Sequence, residues 1–183
     1  VNTVPGAQTV AEDNSLVFNA AGGNRISISD VDAVRGSVQV TLTATNGVLT
    51  LGGLTGLTFI TGDGSNDATM TFTGSLDAIN VALEGLSFSP TPNYNGAASV
   101  QIITNDLGGH GSGGPLSDSD LIAITVTAVN DAPVLDNSKN PTLTTQNEDA
   151  GAPSGEVGTL ISALVDFLSP AGQVDNVTDV DSG

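Results

Sequence analysis

A chain of 183 residues is long enough for one full domain and part of another. Its 20 acidic residues face three basic ones, Arg25, Arg35 and Lys139, and the formal net charge of −17 repels nucleic-acid phosphate and anionic membrane alike. With no cysteine there is neither a disulfide framework nor a thiolate metal site, and no apolar run approaches the ~20 residues of a membrane helix.

A hydrophobic fraction of 38% allows a core, which must be aliphatic because five Phe, one Tyr and no Trp are present. The 23 glycines, set among Thr, Ser, Asn, Asp and Val, read as short strands joined by tight turns. The chain opens on VNTVPG, without a basic and then apolar leader, and closes on DVDSG, so it reads as an excerpt of a longer protein. Alternation predicts strands over 15–19 (SLVFN) and 25–29 (RISIS). Ser37–Thr45 alternates well, and the Asn46-Gly47 that follows predicts a hairpin into 48–51. Leu57–Thr61 and 68–73 flank GDGSND and predict a second hairpin. Ser75 is placed to cap a short helix over Leu76–Leu83, with Leu76, Ile79 and Leu83 on one face, as a crossover between sheets. Segments 86–89, 98–104 and 121–129 complete the strands.

Beyond Pro133 the character changes. Val157, Leu160, Ile161, Leu164, Val165 and Leu168 recur at helical spacing up to Pro170, and an acidic GQVDNVTDVDSG follows. These roughly 50 residues are too few for an independent core. The order of motifs repeats, however. Glu12-Asp13 and then Asp30-Val31-Asp32 are matched by Glu148-Asp149 and then Asp179-Val180-Asp181, with Val1 and Val134 as equivalent starts. The period is roughly 130 residues.

AVNDAPV at 128–134, the Glu-Asp pair, Asp-Val-Asp, PTPNYNG at 90–96 and NDLGGHGSGG at 105–114 occur together. In combination they resemble the tandem cadherin-like or Ig-like repeats of very large bacterial surface proteins and RTX-type adhesins. The resemblance covers 1–131 as one nearly whole repeat and 132–183 as a linker and the incomplete first part of the next. It implies an all-β, Greek-key Ig/cadherin-like β-sandwich with Ca²⁺ at inter-domain joints, in an extracellular, cell-surface or secreted setting.

The residues themselves suit that chemistry. Ca²⁺ takes ~6–8 oxygen ligands from carboxylates, carbonyls and waters at loose geometry. Asp-X-Asp on an extended segment points both carboxylates one way. The candidate ligands are Glu12, Asp13, Asp30, Asp32, Asp106, Asn130 and Asp131, with Glu148, Asp149, Asp179 and Asp181 from the second segment. By resemblance to cadherin-like joints, Asn130 and Asp131 would meet Glu12 of the first repeat and Asp179 and Asp181 of the second. The linker VNDAP is sparser in acid than animal cadherin linkers and no Asp-Arg-Glu motif occurs, which implies one or two ions rather than three. The plain alternative is that these carboxylates form turns, cap strand ends and keep an acidic surface in solution.

Other features read as structural. GDGSND spaces Asp63, Ser65 and Asp67 like a calcium loop but lacks a distal bidentate Glu, so a hairpin tip explains it. NDLGGHGSGG has no nonapeptide repeat and reads as a mobile loop; Asp118 and Asp120 are expected to face solvent. Tyr94 fits a tyrosine corner better than a sugar platform. The single His110 sits among glycines, no Gly-X-Ser-X-Gly elbow exists, and no enzyme is expected. Asn176-Val-Thr178 matches a glycosylation sequon, idle in a bacterial source. The expectation is a structural spacer whose partners are adjacent repeats of the same chain. The alternatives are a ligand-binding adhesive module meeting a surface glycan or protein, and a self-associating filament subunit that adds its C-terminal segment as a strand.

Overall fold

The computed structural model describes residues 1–31, 36–108 and 114–135, with the backbone of Val177 and Thr178. The chain divides into two units, Val1–Val129 and Asn130–Gly183. The described residues of the first are all-β apart from one helix. In order it runs β1 (Asn2–Thr3), β2 (Gln8–Ala11), β3 (Leu16–Phe18), β4 (Ser27–Ile28), β5 (Ser37–Thr45), β6 (Gly47–Thr50) and β7 (Leu57–Thr61). Then come β8 (Thr69–Ser75), α1 (Leu76–Leu83), β9 (Leu86–Pro90), β10 (Gly96–Asn105) and β11 (Ser117–Thr127). In the second unit β12 (Val134–Leu135) pairs with β13 (Val177–Thr178). The helix expected over 157–168 lies outside the described residues.

A six-stranded sheet, ordered β2-β11-β10-β5-β8-β7, faces a three-stranded one, β3-β9-β6, and β1 pairs with β4. The two larger sheets make a β-sandwich whose core comes from period-two alternation. Val38, Val40 and Leu42 of β5, Met70 and Phe72 of β8, and Val100 and Ile102 of β10 point inward and are buried. Phe18, Leu49 and Phe88 meet them from the smaller sheet. The opposite face of the six-stranded sheet is uncharged. Thr41, Thr43, Thr71, Thr73, Ser99 and Gln101 typify it, and neighbours join hydroxyl to hydroxyl, as Thr41 to Thr71 and Thr45 to Ser99, both at 3.0 Å. Most of the described acidic residues of this unit stand in loops or next to strand ends, while Asp77 is in the helical segment and Asp118 and Asp120 are in the strand over Ser117–Thr127.

The helix forms as its sequence predicts. Ser75 in extended conformation caps it, accepting the Ala78 N–H at 3.2 Å, and Ile79, Ala82 and Leu83 are buried. The hairpin expected at Asn46-Gly47 does not form. β5 stays in the large sheet while β6 joins β9 in the small one, so the turn is an arch from sheet to sheet. A two-residue hairpin turn of the predicted kind needs both central residues at positive φ. Here only Asn46 is there, at φ 54. Gly47 is required for a different reason: a Cβ on it would lie 2.5 Å from the Phe88 ring and 2.6 Å from the Ser89 carbonyl. The β7–β8 hairpin is present as predicted, with a bulge at Phe59/Thr61.

Two pairings set the direction of the unit. β2 runs parallel to β11, Gln8 against Ile124 through Ala11 against Thr127. At the other end of β11 the Asn2 backbone N–H donates to Asp118 Oδ2 at 2.6 Å. The chain thus comes in beside the start of β11 and leaves at its finish. Eleven residues of strand separate these places by roughly 35 Å.

Candidate functional site

The described candidate ligands fall at the two ends of the first unit and just beyond it. At the leading end Asp30 and Asp106, with Asp118, line a cleft of about 540 Å³ together with Val1, Ser29 and Thr104. The loops after β4 and β10 and the start of β11 set these three residues around one cleft. Asp118 was expected to face solvent; instead its Oδ2 holds Asn2 and its Oδ1 takes the Ser119 N–H at 3.0 Å. Asn2 in turn accepts a hydrogen bond from the Thr104 hydroxyl through Oδ1 at 2.6 Å, and both residues are buried. Sequence reasoning missed Asp118 because its role depends on a strand 116 positions away.

Asp106 is occupied as a brace. Its Oδ1 accepts the N–H groups of Leu116 at 2.8 Å and Gly108 at 2.9 Å, on either side of residues 109–113. These bonds, the Leu116 one foremost and the Gly108 one next, hold its carboxyl below the usual carboxylate range. A depressed carboxylate contributes stability that is present above the unfolded value of about 3.9 and is lost as pH falls through the folded one. Asp106→Asn is accordingly expected to flatten the acid limb of a melting-temperature profile taken from pH 6 down to pH 2. A limb of unchanged slope would show the brace to be idle.

At the far end stand Glu12 and Asp13. Glu12 follows β2 directly and is 1% exposed. Its Oε1 accepts the Val129 N–H at 2.6 Å while its own N–H donates to the Thr127 carbonyl at 2.9 Å. A carboxylate this deep must be compensated, and the backbone donor does so. Asp13, at φ 61, turns away to accept the Asn93 N–H at 3.4 Å. Asn130 and Asp131 follow Val129; the Asn130 amide donates to the Asp131 carbonyl at 3.0 Å. Asp32, Glu148, Asp149, Asp179 and Asp181 lie outside the described residues, as does His110.

Among the described residues no three of His, Cys, Asp and Glu gather as a metal-holding group. The donors present are hard oxygens that suit Ca²⁺, yet those described do not close a site by themselves. Of the basic residues only Arg25 is described. It pairs with Glu84 at 3.5 Å, both about half exposed, and not with a candidate ligand.

The remaining motifs are structural. Asp67 Oδ2 accepts the N–H groups of Asp63 and Gly64 at 2.9 and 2.8 Å, and Asp63 Oδ1 that of Ser65 at 3.0 Å, so GDGSND is a self-bonded turn. The Tyr94 hydroxyl donates to the Ala97 carbonyl at 2.7 Å and accepts from Asn46 Nδ2 at 2.8 Å, tying the β9–β10 loop to the arch. Among the described residues no helix is long and apolar enough to cross a membrane. No family model, curated protein or solved structure matches the chain.

Proposed function

We propose that the chain is a structural spacer of a large extracellular bacterial adhesin, a cadherin-like or Ig-like sandwich repeat followed by part of the next, stiffened by Ca²⁺ at its joints. The observation that carries this reading is the placement of incoming and outgoing strands at opposite ends of the first unit, beside Asp118 and beside Glu12. Units so built extend a chain when linked in series instead of folding it back. Carboxylates sit at both ends, with Asn130 and Asp131 next in line, and the one described basic side chain, Arg25, is engaged elsewhere. Like charges brought together at a joint repel until a cation bridges them, so the ion turns a swinging connection into a fixed one.

Thermal unfolding of the full chain in Ca²⁺ against EGTA tests this. At Ca²⁺ near 100 times its Kd the folded state gains about 2.7 kcal/mol by linkage. For a chain of this length that is a rise in melting temperature of roughly 5–10 °C. Asp131→Ala is expected to lose much of the rise. An unchanged melting temperature in all four measurements would overturn the calcium part of the reading. Sedimentation as a polymer would favour the filament subunit, and a shift on a glycan array the adhesive module.

A further inference from the structure

We infer that β2 and β11 form the force-bearing clamp of the first unit and that Glu12 is its latch. The inference deepens the spacer reading and takes its purpose from it, while its geometry stands on the fold alone. Tension along the chain draws β2 toward its N-terminal end and β11 toward its C-terminal end. Because the two strands are parallel, Gln8 on Ile124 through Ala11 on Thr127, they must slide past one another. Their cross-strand bonds then bear the load together, as in shear, instead of parting one by one as in a peeled hairpin.

β2 is the place where this matters most. Among the described residues it is an edge strand paired with β11 alone, whereas β11 is also held along ten residues of β10. The segment before it is held by the short β1–β4 pair and the Asn2 bonds to Asp118 and Thr104. So the short parallel ladder is the narrowest contact between the incoming strand and the large sheet. Glu12 prolongs it past its last strand pair. The Glu12 N–H holds the Thr127 carbonyl at 2.9 Å, and the buried carboxylate holds the Val129 N–H at 2.6 Å. The Thr127 hydroxyl adds a bond to the Val10 carbonyl at 3.4 Å. Val129 is where tension from the following segment first arrives. A charge-assisted bond, roughly twice as strong as a neutral one, therefore sits at the point of greatest load.

A natural chain without cysteine lets engineered cysteines set the direction of pull. The full chain with Val1→Cys and Asn130→Cys is loaded along β11; with Asn14→Cys and Asn130→Cys it is pulled apart at one end. Force spectroscopy at equal loading rate is expected to give about twofold higher unfolding force in the first geometry, since bonds share the load there. Glu12→Ala is expected to raise the unfolding rate under constant shear load about tenfold, the loss of a hydrogen bond to a charged acceptor. Glu12→Gln, which keeps an acceptor, should recover part of the loss.

Leu49→Ala separates clamp from general stability: it lies in the smaller sheet, lowers the melting temperature, and should leave shear strength close to the parent. Equal forces in the two directions, or equal weakening by Leu49→Ala and Glu12→Ala, would overturn the inference. Neither result bears on calcium response or sedimentation, so the spacer reading stands or falls separately.

Discussion

Phe88→Ala is expected to remove roughly 3–5 kcal/mol of stability and to lower the melting temperature by about 10–20 °C. Phe88 is fully buried in β9, the central strand of the smaller sheet, opposite Leu16 on one side and Leu49 on the other. Its ring lies where a Gly47 side chain would be, so truncation opens a void against bare backbone. The backbone on that side of the void is held in place, because the arch through Asn46 is fixed by Tyr94 and by the Thr91 N–H on the Asn46 carbonyl at 3.0 Å. Urea unfolding monitored by circular dichroism reads the loss directly. A cost under about 1.5 kcal/mol would mean that the site collapses onto the gap and that the arch is softer than its bonds suggest.

Gly52→Ala is expected to cost about 3 kcal/mol or more, from overpacking together with a broken backbone bond. A Cβ at Gly52 would lie 2.0 Å from the Glu84 carbonyl oxygen and 3.1 Å from the Gly85 Cα. Both obstacles are backbone, at the end of α1, where Gly85 turns at φ 90 and its N–H is held by the Phe18 carbonyl at 2.9 Å. To admit a methyl group the strand exit must retreat from the helix, which breaks the Gly52 N–H bond to the Ala82 carbonyl, also 2.9 Å. Gly53 supplies the control, with no atom within 4 Å of its would-be Cβ. The denaturation midpoint should fall steeply for Gly52→Ala and stay within about 0.5 kcal/mol of the parent for Gly53→Ala. Indistinguishable midpoints would remove the close approach from the account.

What was legible in the sequence was local. Ser75 and the spacing of Ile79 and Leu83 specify a capped helix within nine residues, and that helix forms with those bounds. The long strands announce themselves by alternation, since one face of each meets a core. Asn46-Gly47 shows where this stops. A dipeptide states that the chain turns but not which strand it pairs with next, and here the glycine answers to Phe88, a residue 41 positions on. β1 and β2 carry too few residues to show a period. Asn2 finds its partners at Thr104 and Asp118 only after the sandwich closes.

The carboxylates divide in the same way. Glu12 and Asp106 stand out by composition and position, yet what each holds, Val129 in one case and Gly108 with Leu116 in the other, is a property of the folded chain. Acidic clusters at strand ends look alike in sequence whether they brace a loop, latch a strand or await an ion. Asp63 and Asp67 could be read from their neighbours, because their donors in the turn are two to four residues away.

The arch also has a bearing on how the molecule ages. An asparagine followed by glycine is the step at which a side-chain carbonyl carbon is most readily attacked by the next backbone nitrogen, closing a succinimide and expelling ammonia. Asn46 is such a residue, and its amide donates at once to the Tyr94 hydroxyl and, at 2.9 Å, to the Ala97 carbonyl. Cyclisation would have to pull that group out of both bonds and rotate a backbone already committed to φ 54. Conversion to aspartate would set a new negative charge against the Ala97 carbonyl. The tyrosine corner thus guards the chemical identity of the turn it fastens, and the clock on Asn46 runs at the pace of local opening.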